Sequence, residues 1–161
     1  MNHSIKLTKN YNGIKLRLVP HEPDNGYRFY VSNDGTIGLR IAPDGTETIV
    51  SGSFTTSPNS KDPTDAKRKQ RYLQFRDAWG YHQRILVSHA VYLAWVGPFD
   101  EPCMDHKNGV TTDNRWQNLE PVDFKENARR AGVLKGLRKQ GINPAELSVR
   151  VLNKYLKQER N

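Results

Sequence analysis

The chain has 161 residues, 35% of them hydrophobic, and a mean hydropathy of −0.80. This allows one or two small domains with a modest core, and neither a signal peptide nor an apolar run long enough to span a bilayer is found. A net charge of +8 and a pI near 9.7 point to a polyanionic partner. The single cysteine, Cys103, excludes a disulfide within the chain and any Cys-x-x-Cys zinc knuckle.

In chain order, residues 27–50 alternate apolar and polar side chains around Asp34-Gly35 and Asp44-Gly45, which predicts short antiparallel strands turning at those pairs. From Ser51 to Asp65 the chain is rich in Ser, Thr, Pro and Asn and reads as a flexible loop. The basic cluster Lys67, Arg68, Lys69 and Arg71 has two readings, phosphate contact or exposed loop. "RYLQFRD" and "HQRILV" then flank Ala78-Trp79-Gly80-Tyr81 as a hairpin. Ser88 is expected to cap a helix, "HAVYLAWVG", whose Val91, Leu93, Ala94 and Trp95 pack beneath the Met104–Asn127 segment. His89 opens that helix and serves either packing or a phosphate contact.

The segment from Met104 to Asn127 carries the chemistry. Asp105 and His106 are adjacent, so on a strand they point to opposite faces. One can ligate a cation while the other stays free to take a proton. Asn118 lies twelve residues after His106 (118 − 106) and Asn127 twenty-one after it (127 − 106). Between them Asp123-Phe124-Lys125-Glu126 reads as a capping box, placing Asn127 in the first full turn of a helix. The implied unit is strand, loop, strand, helix. Asn108, Asp113 and Asn114 read as turn formers around Gly109, with Asp113 a minor alternative ligand. Trp116 is expected in the core, and Arg115 is a candidate DNA contact.

A helix from about Phe124 to Gln140 carries Arg129, Arg130, Lys135, Arg138 and Lys139, and Gly141 can end it in a left-handed conformation. Asn143-Pro144-Ala145-Glu146 starts a second helix, with Leu147, Val151, Leu152, Tyr155 and Leu156 on one face and Arg150 and Lys154 among its cations. From residue 123 onward, ten Lys or Arg stand against four Asp or Glu, a local +6 (10 − 4). Two readings are equal here: a DNA-binding helix-turn-helix tail, or a helical pair that packs on the rest.

The run "VSHAVYLAWVGPF…MDHKNGVTTDNRWQNLEPVDFKEN" resembles the HNH endonucleases of phages and mobile introns, the ββα-metal nucleases, over about residues 86–130. The resemblance rests on Asp105-His106, Lys107-Asn108-Gly109, Asp113-Asn114-Arg115, Asn118-Leu119-Glu120 and Glu126-Asn127 together. It implies Asp105 and Asn127 as metal ligands, His106 as general base, and Asn118 as the asparagine that braces the loop. It also implies products with 5′-phosphate and 3′-hydroxyl ends. His89 matches a histidine common in the family, and "YVSNDGTI" resembles a small DNA-associated module found ahead of such domains.

The expected fold is α+β: a ββα core preceded by short antiparallel strands and followed by a basic helical tail. The expected division is a β-rich module and loop (1–60), a nuclease domain (61–135) and a C-terminal helical tail (136–161). The expected function is a divalent-metal-dependent (Mg²⁺ or Mn²⁺) DNA endonuclease of homing or mobile-element type, without structural zinc. With one motif, a monomer should nick one strand of double-stranded DNA in the cytoplasm of a bacterium or phage-infected cell. The alternatives are a phage packaging or DNA-degrading nuclease, and a DNA-binding protein with a degenerate nuclease core.

Overall fold

The first five strands form an antiparallel sheet in sequence order: β1 (Thr8–Tyr11), β2 (Ile14–Leu18), β3 (Arg28–Val31), β4 (Gly38–Ile41) and β5 (Glu47–Val50). The computed structural model describes residues 6–20, 26–50, 53–55, 70–76 and 82–158. Both expected Asp-Gly turns are present. Asp34 accepts from the Thr36 N–H at 3.0 Å and Asp44 from the Thr46 N–H at 2.9 Å, with Gly35 and Gly45 at positive φ. A further hairpin, outside the expected pair of turns, joins β1 to β2 at Asn12-Gly13. Both residues have positive φ there, the signature of a type I′ turn.

A second, three-stranded sheet contains β6 (Ser53–Thr55), β7 (Gln70–Arg76) and β8 (His82–Leu86). β7 and β8 are the expected hairpin; its turn, 77–81, lies outside the described residues. The loop expected from Ser51 to Asp65 holds one correction, since residues 53–55 pair with β7. Phe54 and Thr55 favour extended backbone, and β7 offers them an edge. The rest of that segment, with Lys67, Arg68 and Lys69, lies outside the described residues.

Helix α1 (Val87–Trp95) begins one residue before the expected cap. Ser88 is buried in the first turn, and the cap position, Leu86, makes no side-chain capping bond. Packing decides this start. Val87, Ala90 and Val91 are wholly buried against Val19, Phe29 and Val31 of the first sheet region, Leu73 of β7 and Leu119 further on. The Trp95 indole donates to the Val31 carbonyl at 3.1 Å. Gly35 makes the approach possible: a Cβ there would stand 2.4 Å from Val87 Cγ1, and its φ is +71°.

The chain then forms β9 (Cys103–His106), a loop, β10 (Leu119–Val122), α2 (Phe124–Lys139) and α3 (Val149–Gln158). Asp123 caps α2 by accepting from the Glu126 N–H at 2.7 Å. The reciprocal half of the capping box is absent, because the Glu126 carboxylate is taken by Arg129 and Arg130 one turn on. At the other end Gly141, at φ +77°, donates to Arg138, while Ile142 donates to Leu137, a Schellman motif. Asn143 caps only a single 3₁₀ turn, Pro144–Glu146. Leu147 then stays extended, and Ser148 starts α3 by accepting from the Val151 N–H at 3.3 Å. Leu152 and Leu156 are buried and Leu152 packs with Leu134 and Leu137 of α2, whereas Val151, expected on that face, is exposed. The result is an α+β architecture. Among the described residues, no helix is long and apolar enough to cross a membrane.

Candidate active site

β9 and β10 are antiparallel, with His106 opposite Leu119 and Asp105 opposite Glu120. The loop between them is tied by Asn118, which is fully buried. Its Oδ1 accepts from the Asn108 N–H at 3.1 Å, and its Nδ2 donates to Asn108 Oδ1 and to the Asp113 carbonyl, each at 2.9 Å. One side chain therefore fixes both arms of the loop. Asn108 and Asp113 extend the network, with Asn108 Nδ2 donating to Asp113 Oδ2 at 2.8 Å. Gly109, at φ +72°, lets α2 pass close over this loop; a Cβ there would come within 3.0 Å of Leu134 and closer still to the Arg138 guanidinium.

Asp105 and His106 are both buried, and the strand pleat directs them apart. His106 Nε2 lies 3.0 Å from Asn114 Oδ1. An amide oxygen there calls for a proton on Nε2, which leaves Nδ1 as the basic nitrogen. Burial lowers the His106 pKa below the ordinary value, against smaller upward pulls from Asn114, Asp105 and Asp113. The neutral imidazole is thus the favoured form. A backbone carbonyl is the ordinary partner for orienting such a ring; here it is Asn114, a turn former by sequence and in fact 2% exposed.

On the other face, Asp105 Oδ2 accepts from Arg130 Nη1 at 3.0 Å. Arg130 is 4% exposed and also meets Glu120 at 2.6 Å and Glu126 at 2.8 Å. Burial opposes its charge, but Glu120, Glu126 and Asp105 outweigh burial and hold it above the ordinary arginine value. Burial likewise pushes the Asp105 carboxyl above the usual carboxylate value, against the pull of Arg130. Arg129 holds Glu126 well below its ordinary value, with Arg130 assisting. Arg130, expected among the DNA contacts, is buried and braces β9, β10 and α2. The Glu126–Arg130 spacing of four was its sequence signal.

Asn127 lies in the first turn of α2, one turn before Arg130 on the same side of the helix. Its side-chain amide takes no hydrogen bond from the described residues, and neither does Asp105 Oδ1. A carboxylate oxygen and an amide oxygen without partners suit a hard divalent ion such as Mg²⁺ or Mn²⁺. Among the described residues, no group of three His, Cys, Asp or Glu side chains is arranged to hold a metal.

The remaining candidates are more scattered. His89 is half-buried in α1, edge-on to Phe99 at 5.3 Å. Burial, and then the charge of His106, lowers its pKa, so the two histidines share one neighbourhood. Asp113 is engaged by Arg115 at 2.8 Å and held below its ordinary value by that contact, which removes it as a ready ligand. Arg129 pairs with Glu126 and donates to the Leu156 carbonyl at 2.5 Å. Lys135, Arg138, Lys139, Arg150 and Lys154 are exposed, and Arg71 stands in β7 opposite Phe54. Trp116, expected in the core, is 37% exposed; its backbone N–H donates to the Asn33 carbonyl at 3.1 Å and its carbonyl accepts from the Leu119 N–H.

Comparison with protein families gives no match, and no curated protein matches the chain. Among solved structures the chain is similar to one described as DNA binding and cleavage by the HNH homing endonuclease I-HmuI, with a TM-score of 0.43 and 18% identity. The match covers 84% of this chain and 65% of that chain, too distant a likeness to carry residue roles across.

Proposed function

We propose that the chain is a metal-dependent DNA endonuclease of the HNH type, with β9, β10 and α2 as its ββα-metal unit. The observation that carries this reading is a buried His106 beside Asp105, its ring held by Asn114, next to a loop clasped by the wholly buried Asn118. Hydrolysis of a phosphodiester needs a base for the attacking water, compensation of phosphate charge and stabilisation of the leaving 3′ oxygen. His106 Nδ1 accepts the proton of the water, and Asn114 holds the ring in the tautomer that leaves this nitrogen free. Asp105 and Asn127 are the residues that would hold a divalent ion, which when bound supplies the charge compensation. The products then carry 5′-phosphate and 3′-hydroxyl ends. One such site per chain cuts one strand, so a monomer nicks double-stranded DNA, and the net charge of +8 favours that partner. A homing or mobile-element role is the leading one, on the sequence resemblance alone.

A second reading, DNA binding without cleavage, is favoured by one observation: Arg130 already places a cation on Asp105. Incubation with supercoiled plasmid separates the two. The nuclease reading expects conversion to open circles in Mg²⁺ or Mn²⁺ and none in EDTA. Because burial lowers the His106 pKa, the base stays unprotonated into mildly acidic solution. The acid limb of the rate profile should therefore fall below about pH 6.5, the unperturbed histidine value. Retained DNA binding with no conversion in either metal leaves the second reading.

A further inference from the structure

A pocket of about 160 Å³ opens beside β9, between the loop, α2 and α3, lined by Lys107, Glu120, Arg130, Asn153, Leu156 and Lys157. Three cations from three elements line it together with Glu120, and of these Arg130 is already paired with Glu120, Asp105 and Glu126. Lys107 is the next residue after His106, and its Nζ donates to the Gln117 carbonyl at 3.2 Å. Arg130 touches Asp105, so the pocket adjoins the Asp105 face of the candidate site. Neither Lys107 nor Lys157 has an ion-pair partner among the described residues, while Asp105, Glu120 and Glu126 are engaged by Arg130. Arg130 is already balanced by these carboxylates, so the lining cations left to meet a ligand are Lys107 from the loop and Lys157 from α3.

The walls are fixed rather than adventitious. Leu152 and Leu156 are buried, and Leu152 packs with Leu134 and Leu137 of α2. Arg129 grips the Leu156 carbonyl at 2.5 Å, and this sets the place of Lys157. The Arg130 guanidinium is locked by its three carboxylates and presents a rigid edge.

We propose that the Lys107–Arg130–Lys157 pocket binds a phosphate of the nucleic-acid backbone, which makes the C-terminal helix α3 a wall of the active site. This deepens the nuclease reading and rests on it. Lysine and arginine N–H groups make short, charge-assisted bonds to phosphate oxygens, and the Asn153 amide adds a neutral donor. Of phosphate sources, a nucleic-acid backbone best fits a chain with exposed cations along α2 and α3 and a net charge of +8.

The test uses the full chain and a labelled duplex oligonucleotide in EDTA, so that no cutting intervenes. Affinity is measured by fluorescence anisotropy at several salt concentrations. Lys157→Gln should lower the slope of log K against log salt by about 0.9 and weaken binding, while Lys157→Arg should restore the slope. Melting temperatures confirm that both variants fold. An unchanged slope in folded Lys157→Gln overturns the proposal. Inorganic phosphate, followed by NMR at the amides of Lys107, Asn153 and Lys157, separates the sources. Shifts with phosphate but no change of DNA slope would make this a free-phosphate site and overturn the backbone assignment. Plasmid nicking is read in parallel. Cleavage with an unchanged slope defeats only the pocket, whereas a lowered slope without cleavage supports the pocket and defeats the nuclease reading.

Discussion

Replacing His106 by alanine should reduce plasmid nicking by about 10²–10⁴-fold and leave duplex affinity nearly unchanged, the cost of losing a general base. The expectation comes from burial, which favours the neutral ring, and from the Nε2 contact with Asn114, which leaves Nδ1 to take the proton. The substitution also orphans Asn114, a nearly buried amide, at a cost of about 1–3 kcal/mol in stability. The comparison therefore uses protein shown to be folded by its melting curve, with rates measured at saturating DNA. Nicking at the wild-type rate by a folded His106→Ala protein would remove His106 from the chemistry.

The largest effect on stability is expected at Asn118. Its amide makes three buried hydrogen bonds, to Asn108 twice and to the Asp113 carbonyl. Alanine deletes all three and strands the Asn108 N–H beneath the loop. At about 1 kcal/mol for each bond, with a further desolvation cost for the orphaned groups, the loss is about 3 kcal/mol or more. That is a large share of the 5–15 kcal/mol typical of a folded domain, and corresponds to a fall of about 6–12 °C in Tm. Cleavage should drop as well, because Asn118 ties Asn108, two residues after His106, to Asp113, the neighbour of the ring-holding Asn114. A melting temperature within a degree of wild type would show that the loop is held by something else.

The range of the forces involved decides how much of the fold and site is legible in the sequence. The Asp34-Gly35 and Asp44-Gly45 turns, the Gly141 helix end and the Asp123 cap are local events, fixed by side chains that bond backbone groups two or three residues away. The spacing of Asp105, His106, Asn118 and Asn127 is likewise readable, because one loop and one helix start set it. The Asn12-Gly13 hairpin carries an equally plain turn signal and was not among the expectations. The role of Arg130 depends on Glu120 and Asp105, ten and twenty-five residues away, so only folding shows that it faces inward. Tertiary packing also overrides local preference at Ser88, where burial of Val87 starts α1 early. The C-terminal segment is ambiguous in sequence for the same reason. Its apolar face serves a DNA-binding helix pair as well as a packed one, and the leucine contacts between α2 and α3 show that the two helices pack on each other.

The proposal that β9 and α2 hold one divalent ion, between Asp105 and Asn127, is the point on which the catalytic reading depends. It is tested most directly by calorimetric titration of Mn²⁺ into the full chain without DNA. The wild type should bind at a single site, and Asp105→Ala and Asn127→Ala should each weaken that site by about tenfold or more. Equal Mn²⁺ affinity in the wild type and both folded variants would contradict it.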